Sequence, residues 1–500
     1  MIRDLTALTN TTFDLVIIGG GITGAGVALD AALRGLHVAL IDKGDFASGT
    51  SSVSSKLVHG GLRYLEHGDF RLVYEALHER GRLLHNAPHL VRPLRFLLPF
   101  YEHTRVPPWQ WRVGLMLYDL LAGTGNIRRS RPVDRGRLQR EFPNLRANAL
   151  IGGAEFYDAQ MDDARLCLEV IRTAALQGAV VANYVEAVAF ERGGAWLCGV
   201  RVHDHIAGSE FLIRARQVVN ATGPWSDRLR RLAGDASRPL LRPTKGVHLI
   251  VPNQGLTAAF LLLHPADGRV FFVIPWLGKT LLGTTDTACE DSPDALSVLP
   301  DDIAYLLAGY NQYFEPPLTS AKILSSFVGL RPLIGNHAAN PSALSREFQL
   351  TWSPSGLLSV AGGKYTTFRH MAEVITDAVV QRLGLRRRCR THNFPLDGTP
   401  QEAWLTFEPR AIRELQQRGG LSEETARHLV SRYGRRYRDV AAYMERDPAL
   451  RHPVVAGEPD LRAEFAYQRD HEMAVRPDDF LLRRTRLGLF HPEVLQQPLP

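Results

Sequence analysis

FDLVIIGGGITGAGVALDAALRGLHVALID, from Phe13 to Asp42, is the stretch that decides the fold. Its first six residues form a short apolar run that stops at three glycines, the pattern of a buried strand entering a tight turn. The residues after the turn place Gly24, Ala28 and Ala31/Ala32 on one helix face, small enough for close packing on a sheet. Gly35 is placed to end that helix, and LHVALID reads as a second strand. Gly19-x-Gly21-x-x-Gly24 therefore stands between a strand and a helix. There the first glycine permits the turn, the second lets backbone approach a pyrophosphate, and the third lets helix pack on strand. The helix N-terminus offers its free N–H groups to phosphates. Asp42, ending the second strand, is placed to accept hydrogen bonds from a ribose diol. A dinucleotide is the ligand this unit is built for.

Which dinucleotide is decided further along. A second glycine fingerprint, which a nicotinamide-using flavoprotein carries, is missing from the sequence. Instead VVNATGPWSD (Val218–Asp227) runs a strand into Ala221, Thr222 and Gly223, bringing backbone to the nucleotide again. Ala361-Gly362-Gly363-Lys364 then precedes a helix whose N-terminal dipole favours negative charge on the pyrimidine edge of a reduced flavin. Three separated segments meeting on one cofactor point to FAD.

Outward from these segments, the 500 residues suggest two to four domains. A hydrophobic content of 45% and a charged content of 22% exclude disordered, collagen-like and low-complexity classes. No apolar run approaches the ~20 residues of a membrane-spanning helix, and the start has no secretory signal pattern. Four scattered cysteines without a CxxC pair suggest neither disulfides nor a metal or iron–sulfur cage, which fits a reducing cytoplasm; no metal is expected. The formal charge is +7, and only six of the 59 basic residues are lysines. Basic runs at Arg386–Arg390 (RRRCR) and Ser431–Arg438 (SRYGRRYR) read as solvated helix faces, with an anionic membrane surface or nucleic acid as alternatives. From Pro88 to Pro143 the chain reads as an inserted region containing the apolar segment WRVGLMLYDLLAG. A β-rich block spans about Pro239 to Asp286. Met371, Ile375, Val379 and Leu383 recur every four residues, predicting an amphipathic helix that ends at Gly384.

The sequence resembles the FAD-dependent glycerol-3-phosphate dehydrogenases, the respiratory, quinone-reducing branch. The resemblance is carried by VIIGGGITGAG, TSSVSSKLVHGGLRYLEHGDFRLVYEAL (Thr50–Leu77), VNATGPW, KGVHLIVP, VFFVIPW, LLGTTD, VGLRPL, AGGKYTTFR and RDHEMAVRPDDFLLRRTRLGLF (Arg469–Phe490), in order along nearly the whole chain. It implies an α/β Rossmann-like FAD-binding domain of the glycine-oxidase/amino-acid-oxidase type, with an interleaved β-rich substrate domain and a helical C-terminal domain. The ranges expected are 1–80, 150–235 and 320–390 for the FAD-binding domain, 81–149 and 236–319 for the substrate or cap domain, and 391–500 for the C-terminal helical basic domain. The implied reaction is oxidation of sn-glycerol 3-phosphate to dihydroxyacetone phosphate, with electrons passing to ubiquinone or menaquinone. The implied location is cytoplasmic, peripheral to the inner (cytoplasmic) membrane and its anionic surface. No nucleic-acid partner is expected, and a homodimer stays open.

Hydride loss from C2 must be accompanied by proton loss from the C2 hydroxyl, and a phosphate dianion needs cations to hold it. The alternation in GVHLIVP turns Val247, Leu249 and Val251 one way and His248 the other. The resemblance makes His248 the candidate base, Arg331 and Arg63 the anion-binding arginines, Tyr64 an added hydroxyl, and Lys364 a cation at flavin and substrate. It sets Ser51, Ser52, Ser54, Ser55 and Lys56 along the FAD phosphates and isoalloxazine. With Gly19, Gly21, Gly24, Asp42, Ala221, Thr222, Gly223, Gly362 and Gly363, the residues Lys43, Val185 and Thr366 complete the expected cofactor contacts. Asp42 stands where the family more often has Glu, and Val247 replaces a small polar residue, which puts hydrogen bonding around the base in question. A flavin amine or amino-acid oxidase of the same fold, an oxygen-using glycerol-3-phosphate oxidase, and a binding protein with a vestigial fold are the competing readings. The first predicts fewer basic groups at the flavin face; the last predicts a colourless protein.

Overall fold

A computed structural model describes residues 1–102, 104, 106–235, 238–334 and 348–497 of the chain. Its first sheet is built on the stretch quoted above. Strand Thr12–Ile18 lies in the middle, with Val38–Ile41 and then Val180–Ala182 on one side, and Ser209–Asn220 and then Leu357–Gly362 on the other, all parallel. Such strands are covered on both faces, so they read as continuous apolar runs, and VALI is buried throughout. Helix Ile22–Leu33 covers one face and is buried along almost its whole length, packed between the helices Asp163–Leu176 and Phe368–Arg382. Gly35 (φ +78°) follows its end as expected. The third glycine has a tighter reason than helix-on-strand packing alone: a Cβ on Gly24 would stand 1.9 Å from the Gly19 carbonyl oxygen of its own turn.

The second sheet has ten strands among the described residues and is largely antiparallel. Thr244–Pro252 pairs with Lys279–Gly283 on one side and Ser325–Arg331 on the other. The expected alternation holds, since Val247, Leu249 and Val251 enter a core with Phe260, Val273 and Leu282, whereas His248 faces the other way onto a cavity. Three strands fall outside the part expected for them. Leu57–Val58, Leu150–Met161 and Ser325–Arg331, read with the FAD-binding ranges, are strands of this second sheet. Leu150–Met161 is buried on both faces, and such a run carries no periodicity to say which sheet it joins.

The apolar insert forms the helix Pro108–Ala122, and Met371 to Leu383 lie on or just beyond the helix Phe368–Arg382. Helices Trp404–Gly419, Glu423–Tyr433, Tyr437–Arg446 and Arg462–His471 form a C-terminal bundle around Phe407, Leu429, Tyr433 and Tyr467. The basic run 431–438 is not simply a solvated face. Arg432 and Arg436 are buried and ion-paired, Arg432 to Asp460 and Glu464, Arg436 to Glu169 across to the first sheet's helix layer. No helix among the described residues is long and apolar enough to cross a membrane.

Candidate active site

The two sheets enclose a cavity of about 880 Å³, within the range that a cofactor with substrate occupies. One end is the glycine turn. Gly19 has φ +112°, and a Cβ there would come within 2.6 Å of the Ala221 carbonyl oxygen, so the Ala221–Gly223 segment lies directly against it. Gly21 caps the helix, and the N–H of Ile22 donates to Ser51 Oγ at 2.9 Å, leaving the serine proton available to an anion. Asp42 accepts from the N–H of Gly20 at 2.6 Å and of Gly44 at 2.9 Å, while burial pushes its carboxyl up to about 6.

At the other end stand the charged groups. His248 is buried, stacked on Phe327 with ring centroids 4.9 Å apart, and its Nε2 is 2.8 Å from Ser55 Oγ. Burial, then the positive charges of Arg331 and Lys56, hold its pKa well below the usual imidazole value, so the ring is neutral and able to take a proton. A Cβ on Gly283, its cross-strand neighbour, would stand 2.0 Å from His248 Cδ2. The Arg331 guanidinium is fixed by Asp286 at 3.0 Å, Thr284 Oγ1 at 2.9 Å and the Thr285 carbonyl at 3.0 Å. Lys364 Nζ lies 3.6 Å over the Tyr64 ring.

Of the residues expected to act, His248, Arg331, Lys364 and Tyr64 line this cavity. Arg63 is not on its wall; it is half-buried, 5.7 Å from the Tyr64 ring. Of the expected cofactor contacts, Gly19, Gly21, Asp42, Lys43, Ser51, Ser54, Ser55, Ala221, Thr222, Gly223, Gly362, Gly363 and Thr366 line it, and Gly24, Ser52, Lys56 and Val185 do not. Lys56 is the instructive case. It is fully buried, with Nζ 2.8 Å from both oxygens of Asp163 and 2.6 Å from the Ser52 carbonyl, and burial lowers its pKa to about 8. It supports the serine loop from behind. Asp163 accepts from the Ser54 hydroxyl as well, at 2.7 Å. Val247 does not touch the base: its side chain is in the core and its N–H donates to Thr285 Oγ1. The sequence reading missed His59, Thr50 and Trp225, which also line the cavity; His59 and Thr50 sit inside the quoted Thr50–Leu77 segment and Trp225 inside VNATGPW, and only their neighbours were singled out.

Residues 14–378 match the family model described as FAD dependent oxidoreductase, and residues 389–500 the one described as C-terminal domain of alpha-glycerophosphate oxidase. Over 482 residues the chain is 41% identical to glycerol-3-phosphate dehydrogenase 2 of Mycobacterium tuberculosis, spanning 96% of this chain and 82% of that protein. The chain belongs to the FAD-dependent glycerol-3-phosphate dehydrogenase family. Another relative, the human mitochondrial glycerol-3-phosphate dehydrogenase, is 37% identical over 520 residues, 99% of this chain and 70% of that one. The crystal structure of the glycerol-3-phosphate dehydrogenase from Bacillus halodurans complexed with FAD superimposes with a TM-score of 0.82 at 33% identity, covering 99% and 90% of the two chains. Glycine oxidase from Geobacillus kaustophilus shares the fold (TM-score 0.56, 20% identity, 78% and 99% coverage). As a family member the protein is an FAD-dependent oxidoreductase, and the glycine turn, Asp42 and the long cavity fit that dinucleotide.

Within the family fold, the C-terminal region ties directly to the cofactor-binding loops. Asp45, just past Asp42, is paired with Arg483 and Arg484, and Asp162 and Asp163 with Arg486, all of them largely buried.

Proposed function

We propose that the protein oxidises sn-glycerol 3-phosphate to dihydroxyacetone phosphate and passes the electrons to a membrane quinone. The observation that carries this reading is one cavity lined by the dinucleotide-binding turn at one end and by His248, Arg331 and Lys364 at the other. Arg331, held rigid by Asp286 and Thr284, is an oriented fork for a phosphate dianion. Lys364 adds positive charge on the same wall. Neutral His248 takes the proton of the C2 hydroxyl; the nearby positive charges that keep it neutral also disfavour holding that proton for long. FAD, when bound, supplies the acceptor for the hydride from C2.

Quinone reduction requires the protein to lie at a bilayer. Along the helix Pro108–Ala122, Trp109, Val113, Met116 and Leu120 form one stripe, 63%, 57%, 70% and 75% exposed. Their spacing puts them on a single face, with exposed Arg112, Arg128 and Arg129 in or just past the helix. An apolar face with basic neighbours suits an anionic membrane interface.

The deciding experiment is anaerobic. Addition of sn-glycerol 3-phosphate to the holoprotein should bleach the flavin spectrum, whereas glycerol and glycine should not, and a quinone analogue should restore it. A flavin that glycine reduces instead assigns the protein to the amine oxidases of this fold. Reoxidation by oxygen at a rate matching turnover assigns it to the oxidases.

A further inference from the structure

Asp294 lies between the short strand Thr287–Ala288 and the helix Pro300–Tyr313, on the side of the second sheet, with its side chain half exposed. One carboxylate oxygen accepts two hydrogen bonds from across the cavity mouth, from Lys43 Nζ at 2.8 Å and from the Trp225 indole N–H at 2.9 Å. The other oxygen is 3.7 Å from the Arg228 guanidinium. Lys43 lies 4.4 Å over the Trp225 ring, and the indole packs so closely on Gly49 that a Cβ there would approach it to 3.0 Å. Lys43, Gly49, Trp225 and Arg228 line the cavity, while Asp294 does not. A carboxylate outside the wall thus gathers wall groups from two separate segments of the first sheet and joins them to the second. Lys43, which it holds, directly follows Asp42, the residue placed for the ribose, so the junction lies at the adenosine end.

We propose that Asp294 is a latch that retains FAD. With the carboxylate in place, Lys43 and Trp225 are held over the mouth, and the cofactor leaves only after this three-way contact opens. The groups are between a third and two-thirds exposed, so the contact is screened by salt over ~8 Å at physiological strength. An exposed ion pair reinforced by an indole hydrogen bond should slow release about 3- to 10-fold. The inference concerns cofactor retention and stands apart from the identity of the substrate.

The test uses the full-length holoprotein with Asp294→Asn and Asp294→Ala. Each is diluted in low-salt and high-salt buffer, and the return of free-flavin fluorescence gives the release rate; the FAD-stripped proteins are melted in parallel. Expected are release about 3- to 10-fold faster in both variants at low salt, a salt acceleration in the wild type that both variants lose, and unchanged melting of the stripped proteins. Equal release rates at low salt overturn the proposal. So does flavin that survives denaturation on all three proteins, or stripped variants that melt lower than stripped wild type. None of these readings uses substrate, so an unexpected substrate specificity leaves the result intact.

Discussion

Gly283→Ala offers a test of the base that leaves the imidazole itself in the protein. The new methyl group would be 2.0 Å from His248 Cδ2 and 2.6 Å from Nε2. Ordinary contact begins near 3.4 Å, and the difference between 3.4 and 2.0 requires the ring to retreat by about 1.4 Å. The ring is closed in behind by Phe327, so the retreat breaks the 2.8 Å contact with Ser55. Misplacing a reacting group by about 1 Å costs on the order of 10²-fold, and complete loss of a general base about 10²–10⁴-fold. Flavin reduction by sn-glycerol 3-phosphate, followed anaerobically by stopped flow, should therefore slow by at least about 10²-fold, while FAD stays bound because Gly283 is not on the cavity wall. The decisive comparison is with His248→Ala, which removes the obstructed ring. In that background Gly283→Ala should cost almost nothing further, a marked failure of additivity. If the glycine substitution slows both backgrounds equally, it does not act through His248, and the base must be sought elsewhere.

Replacing Arg331 by Met should raise KM for the phosphate ester about 10- to 100-fold in steady-state assays, the worth of a charged hydrogen bond. The Asp42 carboxyl titrates near 6 in the free protein, and its ionised form is the stronger acceptor for ribose hydroxyls. FAD affinity, measured by fluorescence titration of the stripped protein, should weaken as pH falls through about 6, and Asp42→Asn should flatten that dependence. Arg484→Met leaves Asp45 with one of its two buried cations and should cost about 3–5 kcal/mol, read as a lowered denaturation midpoint. A carboxylate placed on the exposed apolar stripe, Met116→Glu or Leu120→Glu, should weaken sedimentation with anionic vesicles on the order of 10-fold each, without changing flavin reduction in solution.

The first 42 residues disclosed the sheet, its turn and the dinucleotide class of its ligand because every signal there is local: a strand, three glycines, a helix and an acid within one unit. His248 was legible for a similar reason, since alternation in GVHLIVP fixes which way it points. Lys56 was not. The family resemblance set it along the FAD phosphates and isoalloxazine, and nothing nearby announces that its partner is Asp163, 107 residues away. The arginines of the last quarter misled in the same manner. Their acids, Glu169 and Asp45 among them, lie hundreds of residues earlier, so a buried ionic layer looks in sequence like a soluble basic surface. Sheet membership of Leu150–Met161 was hidden too, because burial on both sides erases the period that distinguishes strands.

The arginine cluster at 483–486 also dictates a timetable. Asp45 is synthesised early, and the Arg484 guanidinium that neutralises it emerges 439 residues later, whereas Asp163 follows its first counter-ion, Lys56, along the chain. At roughly 5–20 residues per second, the Asp45 carboxylate waits tens of seconds on the ribosome without its counter-ions. The ionic ties between the cofactor-binding loops and the C-terminal region therefore close only when translation is almost finished.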